Sequence, residues 1–178
     1  MTDEQPILIE PTERLRDEYL AFVAEFGDDH VEGGGPAMRE DEPFAQFLRR
    51  LADCAAGVHL PEGEAPASTY WLVRDGRILG TCNIRHELTE SLRSYGGHIG
   101  YSVRPSERRK GYGTELLRLA LDKARQLGLA RALVTCEKRN VASARVIEAN
   151  GGVLESEGLD AREGKRMKRY WIDLGRAQ

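Results

Sequence analysis

The chain reads as one α/β domain, a mixed and mostly antiparallel sheet of about seven strands with helices on both faces, and three observations lead there. Its 178 residues, 40% hydrophobic and 31% charged, suit one core with a solvated surface and exclude disordered, collagen-like and disulfide-scaffold classes. The hydrophobic period is helical up to residue 56 and becomes alternating between residues 69 and 103. A strand, a strong amphipathic helix and a second strand then run from Ile99 to Cys136 as a βαβ unit, while the flanking strands look antiparallel.

Ile7, Leu8 and Ile9 make a short first strand. Thr12 is placed to cap a helix over 13–26, where Leu15, Tyr19, Leu20, Phe22 and Val23 form a broad apolar stripe that Gly27 ends. Residues 28–36, with Gly33, Gly34, Gly35 and Pro36, have the composition of a mobile loop; Phe44, Phe47, Leu48, Leu51 and Ala52 then keep helical spacing to about residue 56. After a loop over 57–67, strands over 69–73 and 78–86 flank Asp75 and Gly76, a pair that supplies the positive φ of a tight hairpin turn. A polar connection leads to a third antiparallel strand over 98–103, with Ile99, Tyr101 and Val103 on one face and Pro105 as its stop. Over 111–127 the positions Leu116, Leu117, Ala120, Leu121 and Ala124 keep i, i+3, i+4 spacing up to Gly128. A strand over 132–136 follows, then a helix over 141–150 capped by Asn140 and closed by Gly151 and Gly152, and strands over 153–157 and 167–174 complete the domain, 1–178.

No apolar run approaches the roughly 18 residues of a spanning helix, and the acidic start of the chain does not resemble a secretion signal, so no membrane partner is expected. Cys54, Cys82 and Cys136 are odd in number and scattered, which suits a reducing cytoplasm. Metal-ligand spacing is absent, and the basic residues gather at one loop instead of forming a nucleic-acid stripe. Charge is split along the chain: residues 1–100 hold 9 Lys and Arg against 19 Asp and Glu, or −10, and residues 101–178 hold 17 against 10, or +7. The second half is suited to meet an anion and the first to attract a cation.

Arg108, Arg109, Lys110, Gly111, Tyr112, Gly113 and Thr114 join a strand to the amino end of the strong helix. Three cations there oppose the helix dipole, at about 0.3 to 1 kcal/mol each if nothing compensates them, and a bound phosphate reverses that sign. Glycines that let the backbone approach and free N–H groups of a first helical turn make a pyrophosphate site. The segment is neither a P-loop nor a dinucleotide fingerprint, since GxxxxGK[ST] is missing and the third glycine of GxGxxG falls at Leu116.

Arg108, Gly111 and Gly113 fill the fixed places of Q/R-x-x-G-x-G/A, and the segment from Tyr101 to Gly113 resembles the acetyl-CoA signature of the GNAT superfamily of N-acetyltransferases. About 30 residues on, Asn140, Val141, Ala142 and Ser143 with Gly151 and Gly152 resemble its second element. The resemblance covers residues 70–174 and implies a GNAT-like fold, with 69–178 as the acetyl-CoA-binding core and 1–68 as variable substrate-side helices and loops. It implies that acetyl-CoA is the acetyl donor, without a metal, and that a primary amine of a small molecule or peptide is the acceptor. Carried over, main-chain amides from Arg109 to Thr114 hold the pyrophosphate, with Arg108 and Lys110 adding charge. The main chain near Val103 bonds the pantetheine and the acetyl carbonyl, and Asn140 bonds the pantetheine arm.

Direct transfer needs an amine relieved of its proton and a thiolate given one. The tyrosine acid of many members would fall at Ile147 and the glutamate base at Gly97, so both tasks pass to other groups. Ser143 and Tyr101 are the candidate acids, with Tyr170 behind them. His98 and His86 are candidate bases, expected nearly opposite each other on a hairpin and lowering each other's pKa, and Glu137 is a third. His30, Asp28 and Asp29 sit in the Gly-rich loop as a candidate lid. Two rival readings are a catalytically inactive CoA-binding sensor or structural domain, and acyl transfer through Cys82 or Cys136. The acceptor is not legible, and a homodimer stays open.

Overall fold

In the computed structural model, which describes residues 5–160 and 163–175, the seven strands are divided between two antiparallel sheets. The acidic stretch 1–4 read above lies outside the described residues. The first sheet has the order β1 (Ile7–Ile9), β2 (Ala67–Arg74), β3 (Arg77–Arg85), β4 (Ile99–Val103). The second has β5 (Arg131–Glu137), then β7 (Arg166–Asp173), then β6 (Val153–Leu159). Asp75 and Gly76 turn the β2–β3 hairpin with φ +50° and +74°, the left-handed pair that an Asp-Gly turn provides.

Alternation along β2 sorts side chains between two cores. Tyr70 and Leu72 point into one with Leu79, Cys82, Ile84 and Ile99, covered by α4 (Tyr112–Gln126) and α5 (Val141–Ala149). Trp71, Val73 and Ile78 point into the other, covered by α1 (Arg16–Ala24) and α2 (Phe44–Ala56). Tyr19 of α1 stacks on Trp71 at 5.0 Å between ring centroids, so the variable helices are anchored to the sheet by aromatic packing.

Three local expectations need correction. The helix over 13–26 is broken: residues Glu13–Leu15 form a 3-10 turn, and Leu15, at φ −104° and ψ 21°, dips into the core before α1 begins. Thr12 makes no side-chain cap there; its carbonyl accepts from Leu15 N–H at 3.1 Å. The polar connection before β4 contains a short helix α3 (Glu90–Ser94), whose Leu92 N–H donates to the Thr89 hydroxyl at 3.3 Å.

The single mixed sheet also needs refining. β4 and β5, the parallel strands of the βαβ unit, meet only at their closed end, where His98 N–H donates to Leu133 O at 2.7 Å and Leu133 N–H donates to His98 Nδ1 at 2.9 Å. Gly97, at φ +60°, is needed beside it, because a Cβ there would stand 2.4 Å from Leu133 O. Past this pin the two sheets part.

Candidate active site

The parting leaves one edge of β4 without a strand partner. Arg104 N–H donates to Leu79 O at 2.8 Å, and the β3–β4 register places Tyr101 opposite Cys82 and Val103 opposite Gly80. Alternation then turns the main-chain N–H and C=O groups of Tyr101 and Val103 outward, away from β3. A cleft of about 560 Å³ opens along this edge, lined among others by Tyr101, Thr135, Cys136, Glu137, Asn140 and Ser143.

Within the cleft the Tyr101 and Ser143 hydroxyls share a hydrogen bond of 2.8 Å. Burial pushes the Tyr101 hydroxyl up to about 12, against the opposing effect of the Ser143 bond, so the phenol keeps its proton at any ordinary pH. Asn140 caps α5 by accepting from Ser143 N–H at 3.0 Å, which places the serine on the first turn facing Tyr101. Glu137 also lines the cleft, yet Lys165 at 3.1 Å and Arg139 at 2.5 Å hold its two oxygens. The Lys165 bond above all keeps its carboxyl below the usual range, with Arg139 adding to it, and this makes it a weak base.

The two imidazoles do not act on each other as expected. His98 is buried, its Nδ1 is spent on Leu133 N–H, and its pKa falls to about 4 by burial first and then by the cations Arg93, Arg85 and Arg131. His86 bonds the Ser68 hydroxyl through Nε2 at 2.8 Å, and burial lowers its pKa too. Neither ring lines the cleft. Tyr170 lies in the core and donates to Glu148 at 2.9 Å, and Ile147 is fully buried beside it.

The loop before α4 bears the phosphate geometry in its backbone. Arg109 and Gly111 adopt φ +61° and +87°, and Gly111 stands at the N-cap of a 15-residue helix with no side-chain cap, leaving the N–H groups of Tyr112, Gly113 and Thr114 without intrahelical partners. A Cβ on Gly111 would meet nothing within 4 Å, so that face is open; the glycine is required by φ. Gly113 has a different reason: a Cβ there would lie 3.3 Å from Val146 and 3.6 Å from Val103, so its smallness serves the approach of α4 to α5. The three cations are less bare than the sequence suggested. Lys110 pairs with Glu107 at 2.9 Å, and Arg108 donates to Val103 O at 3.3 Å while lying over the Phe26 ring. Tyr112 packs against the core with the Arg74 guanidinium over its ring, and the Thr114 carbonyl accepts from Asn150 at 3.2 Å.

Sequence reasoning missed several residues of the cleft wall. Glu32, Gly33, Arg85 and Tyr95 line the cleft. The Gly-rich loop is not the free lid its composition suggested, because Gly33 lies against Gly100 and Tyr101 so closely that a Cβ would stand 2.4 Å from Tyr101 N, and Ser102 donates to the Glu32 carbonyl. Asp29 and His30 instead line a separate apolar cavity against α1. Arg85 carried a partial signal, a charged residue that ends β3 directly after the buried run 78–84.

Cys82 and Cys136 are free and buried, and burial raises both thiols, Cys82 to about 12, which leaves little thiolate for acyl transfer. Cys136→Ala should therefore keep any acyl-transfer rate within about threefold in steady-state assays, and a loss of about 10²-fold would restore the thiol mechanism. Among the described residues no helix is long and apolar enough to cross a membrane, and no group of three metal-ligating side chains is placed to hold an ion.

A family model described as an acetyltransferase (GNAT) domain matches residues 7–153. No curated protein matches the sequence. Solved structures with the same fold include the microcin C7 self-immunity acetyltransferase MccE in complex with acetyl-CoA and AMP, at TM-score 0.70 and 15% identity over 96% of this chain and 93% of that one. A Salmonella typhimurium acetyl transferase that modifies the N-terminal serine of a 50S ribosomal subunit protein superposes at TM-score 0.68 and 15% identity over 93% of each chain. A spermidine N-acetyltransferase chimera from Vibrio cholerae and hSSAT does so at 0.62 and 16% over 96% of each.

Proposed function

The chain belongs to the GNAT family of acetyltransferases, and from that premise we propose that it moves an acetyl group from acetyl-CoA directly to a primary amine of a small molecule or peptide. The observation that carries this reading is the cleft between β4 and β5, with a proton-bearing Tyr101–Ser143 pair inside and an uncapped helix amino end beyond its far edge. Acetyl-CoA supplies the activated acetyl thioester. The residues present fit it: open space at Gly111, N–H groups of Tyr112 to Thr114 for the pyrophosphate, and outward main-chain groups of Tyr101 and Val103 for the pantetheine. Asn140, occupied through Oδ1 by its own helix, has its amide nitrogen left for the same arm.

Tyr101 is the general acid of this reading, holding its proton at Oη for the departing sulfur, whose thiol pKa is about 8.5. Ser143 orients that hydroxyl. Glu137 is neutralised by Lys165 and Arg139 and Glu32 stands exposed at the rim, so in this reading the amine binds already neutral or yields its proton to water. The pH profile of kcat/KM should then climb toward the ammonium pKa of the acceptor, about 10.4 for a lysine-like amine, with no step near 6.

Calorimetry with CoA and turnover on a panel of amines test the reading together. The wild type should bind CoA and acetylate an amine, and binding without any turnover would favour the inactive sensor. Gly111→Val should weaken CoA well over tenfold, about 1.4 kcal/mol, because a β-branched residue is forced toward φ +87° at the phosphate cradle. Unchanged affinity in a folded variant would remove the cradle from residues 109–114.

A further inference from the structure

One cation in the cleft has no anion among the described residues. Arg85 ends β3, and its guanidinium reaches the cleft past two glycines; a Cβ on Gly100 would stand 3.3 Å from Nη1 and one on Gly96 3.7 Å. Nη1 donates to the Gly96 carbonyl at 3.1 Å, which is its one hydrogen bond among the described residues. Four of its five N–H groups are left over, and among the described residues no carboxylate pairs with it.

Two other arginines, partly or wholly withdrawn from solvent, are treated differently. Arg104 is bonded by Glu18 and by Glu25 at 2.6 Å, and Arg50 holds Glu42 at 2.7 Å. The cleft carboxylate Glu137 is already taken by Lys165 and Arg139, and Glu32, exposed at the rim, makes no ion pair among the described residues. Burial disfavours the charged form of Arg85, with Tyr95 and Cys54 acting against it. A guanidinium nevertheless stays charged, and its planar fork matches a carboxylate through two parallel bonds.

The missing anion does not belong to the CoA pyrophosphate. Gly100, against which the guanidinium lies, precedes Tyr101, whereas the phosphate cradle begins beyond Val103, about 10 Å farther along the strand and past a further turn. The anion therefore comes from the acceptor side.

We propose that the acetyl acceptor carries a carboxylate that pairs with Arg85, which makes it an amino acid or a related small amino carboxylate. This rests on the acetyl-transfer reading above. Arg85 is then a specificity residue that touches substrate, and the two glycines beside it keep the space that its fork and the carboxylate share.

The test uses matched pairs in which only the carboxylate changes: glycine and glycinamide, lysine and lysinamide, with spermidine as an amine that has no carboxylate. Steady-state transfer is read alongside calorimetric binding of N-acetyllysine and its carboxamide to the CoA complex, so that a slow acceptor does not hide the preference. Wild type should favour the carboxylate member at least tenfold in one readout or the other. Arg85→Gln, which keeps a donor for the Gly96 carbonyl but drops the charge, should erase that preference and leave CoA affinity unchanged. Equal or better use of the amides or spermidine by wild type, or no binding of any carboxylate probe, overturns the proposal, and neither result needs the variant to fold. Absence of CoA binding would instead overturn the acetyl-transfer reading itself.

Discussion

Tyr101→Phe is expected to lower kcat about 10²-fold or more while CoA affinity stays within about threefold, measured with whichever amine is acetylated fastest. The phenylalanine ring keeps the packing that Tyr101 makes against the core, so the hydroxyl alone is removed. That hydroxyl shares a bond with Ser143 in the cleft and, with its pKa pushed up to about 12 by burial, holds its proton at any pH where the reaction is assayed. An acid with so high a pKa gives up its proton reluctantly, so the transfer must accompany C–S cleavage, while negative charge is developing on the sulfur. Ser143→Ala should cost less, about tenfold, because it loosens the orientation of the phenol without removing the proton. Full activity of the Phe variant would make the pair a structural bond and leave the sulfur to be protonated by solvent.

What the sequence displays and what it hides divide along physical lines. Features set by a local conformational demand were legible: Asp75 and Gly76 both have positive φ, Gly111 stands at φ +87° before α4, and Asn140 caps α5. Seven strands follow from hydrophobic period alone, because each period reports which faces are buried. The break at Leu15 was not legible, since a continuous apolar stripe does not reveal that one of its members will leave the helix to reach the core. The parting of β4 from β5 was invisible for a related reason. Both strands carry apolar residues, and only the three-dimensional meeting of Gly97, His98 and Leu133 determines where their pairing stops. Composition misled at 28–36, where the glycines that suggested mobility pack against the sheet, Gly33 on β4, Gly34 on Thr81 of β3, and Gly35 on Thr69 and Asn83 of β2 and β3. Within the site, the glycine positions of the loop before α4 were legible and Tyr101 and Ser143 were nominated singly through the resemblance, while their shared bond and the role of Arg85 were not, because each depends on what the fold brings, or does not bring, beside it.

His98 shows how a residue expected at the chemistry acts on the site from outside it, and it carries the largest expected effect on stability. Its neutral ring accepts Leu133 N–H through Nδ1, and burial together with Arg93, Arg85 and Arg131 depresses its pKa from the ordinary 6.5 to about 4. Above pH 6.5 neither the folded nor the unfolded chain protonates this ring, and the stability it confers is fully present. As pH falls from 6.5 toward 4 the unfolded chain takes up a proton that the folded chain refuses, so stability is lost progressively. At about 1.4 kcal/mol per pH unit, the loss reaches about 3 kcal/mol by pH 4. Urea unfolding of the wild type at pH 7 and pH 4 should show that loss. His98→Gln, which offers Leu133 an amide oxygen and cannot take up a proton, should lose distinctly less over the same span; contributions from carboxylates and from His86 are common to both proteins and cancel in the difference. Because the ring pins β5 to β4 where the cleft begins, the acid limb of activity should track unfolding between pH 4 and 5 and not a catalytic step near 6. Identical pH slopes for the two proteins would show that the Leu133 bond does not depend on the protonation of His98, and an activity step near 6 that disappears in the Gln variant would return the imidazole to the chemistry.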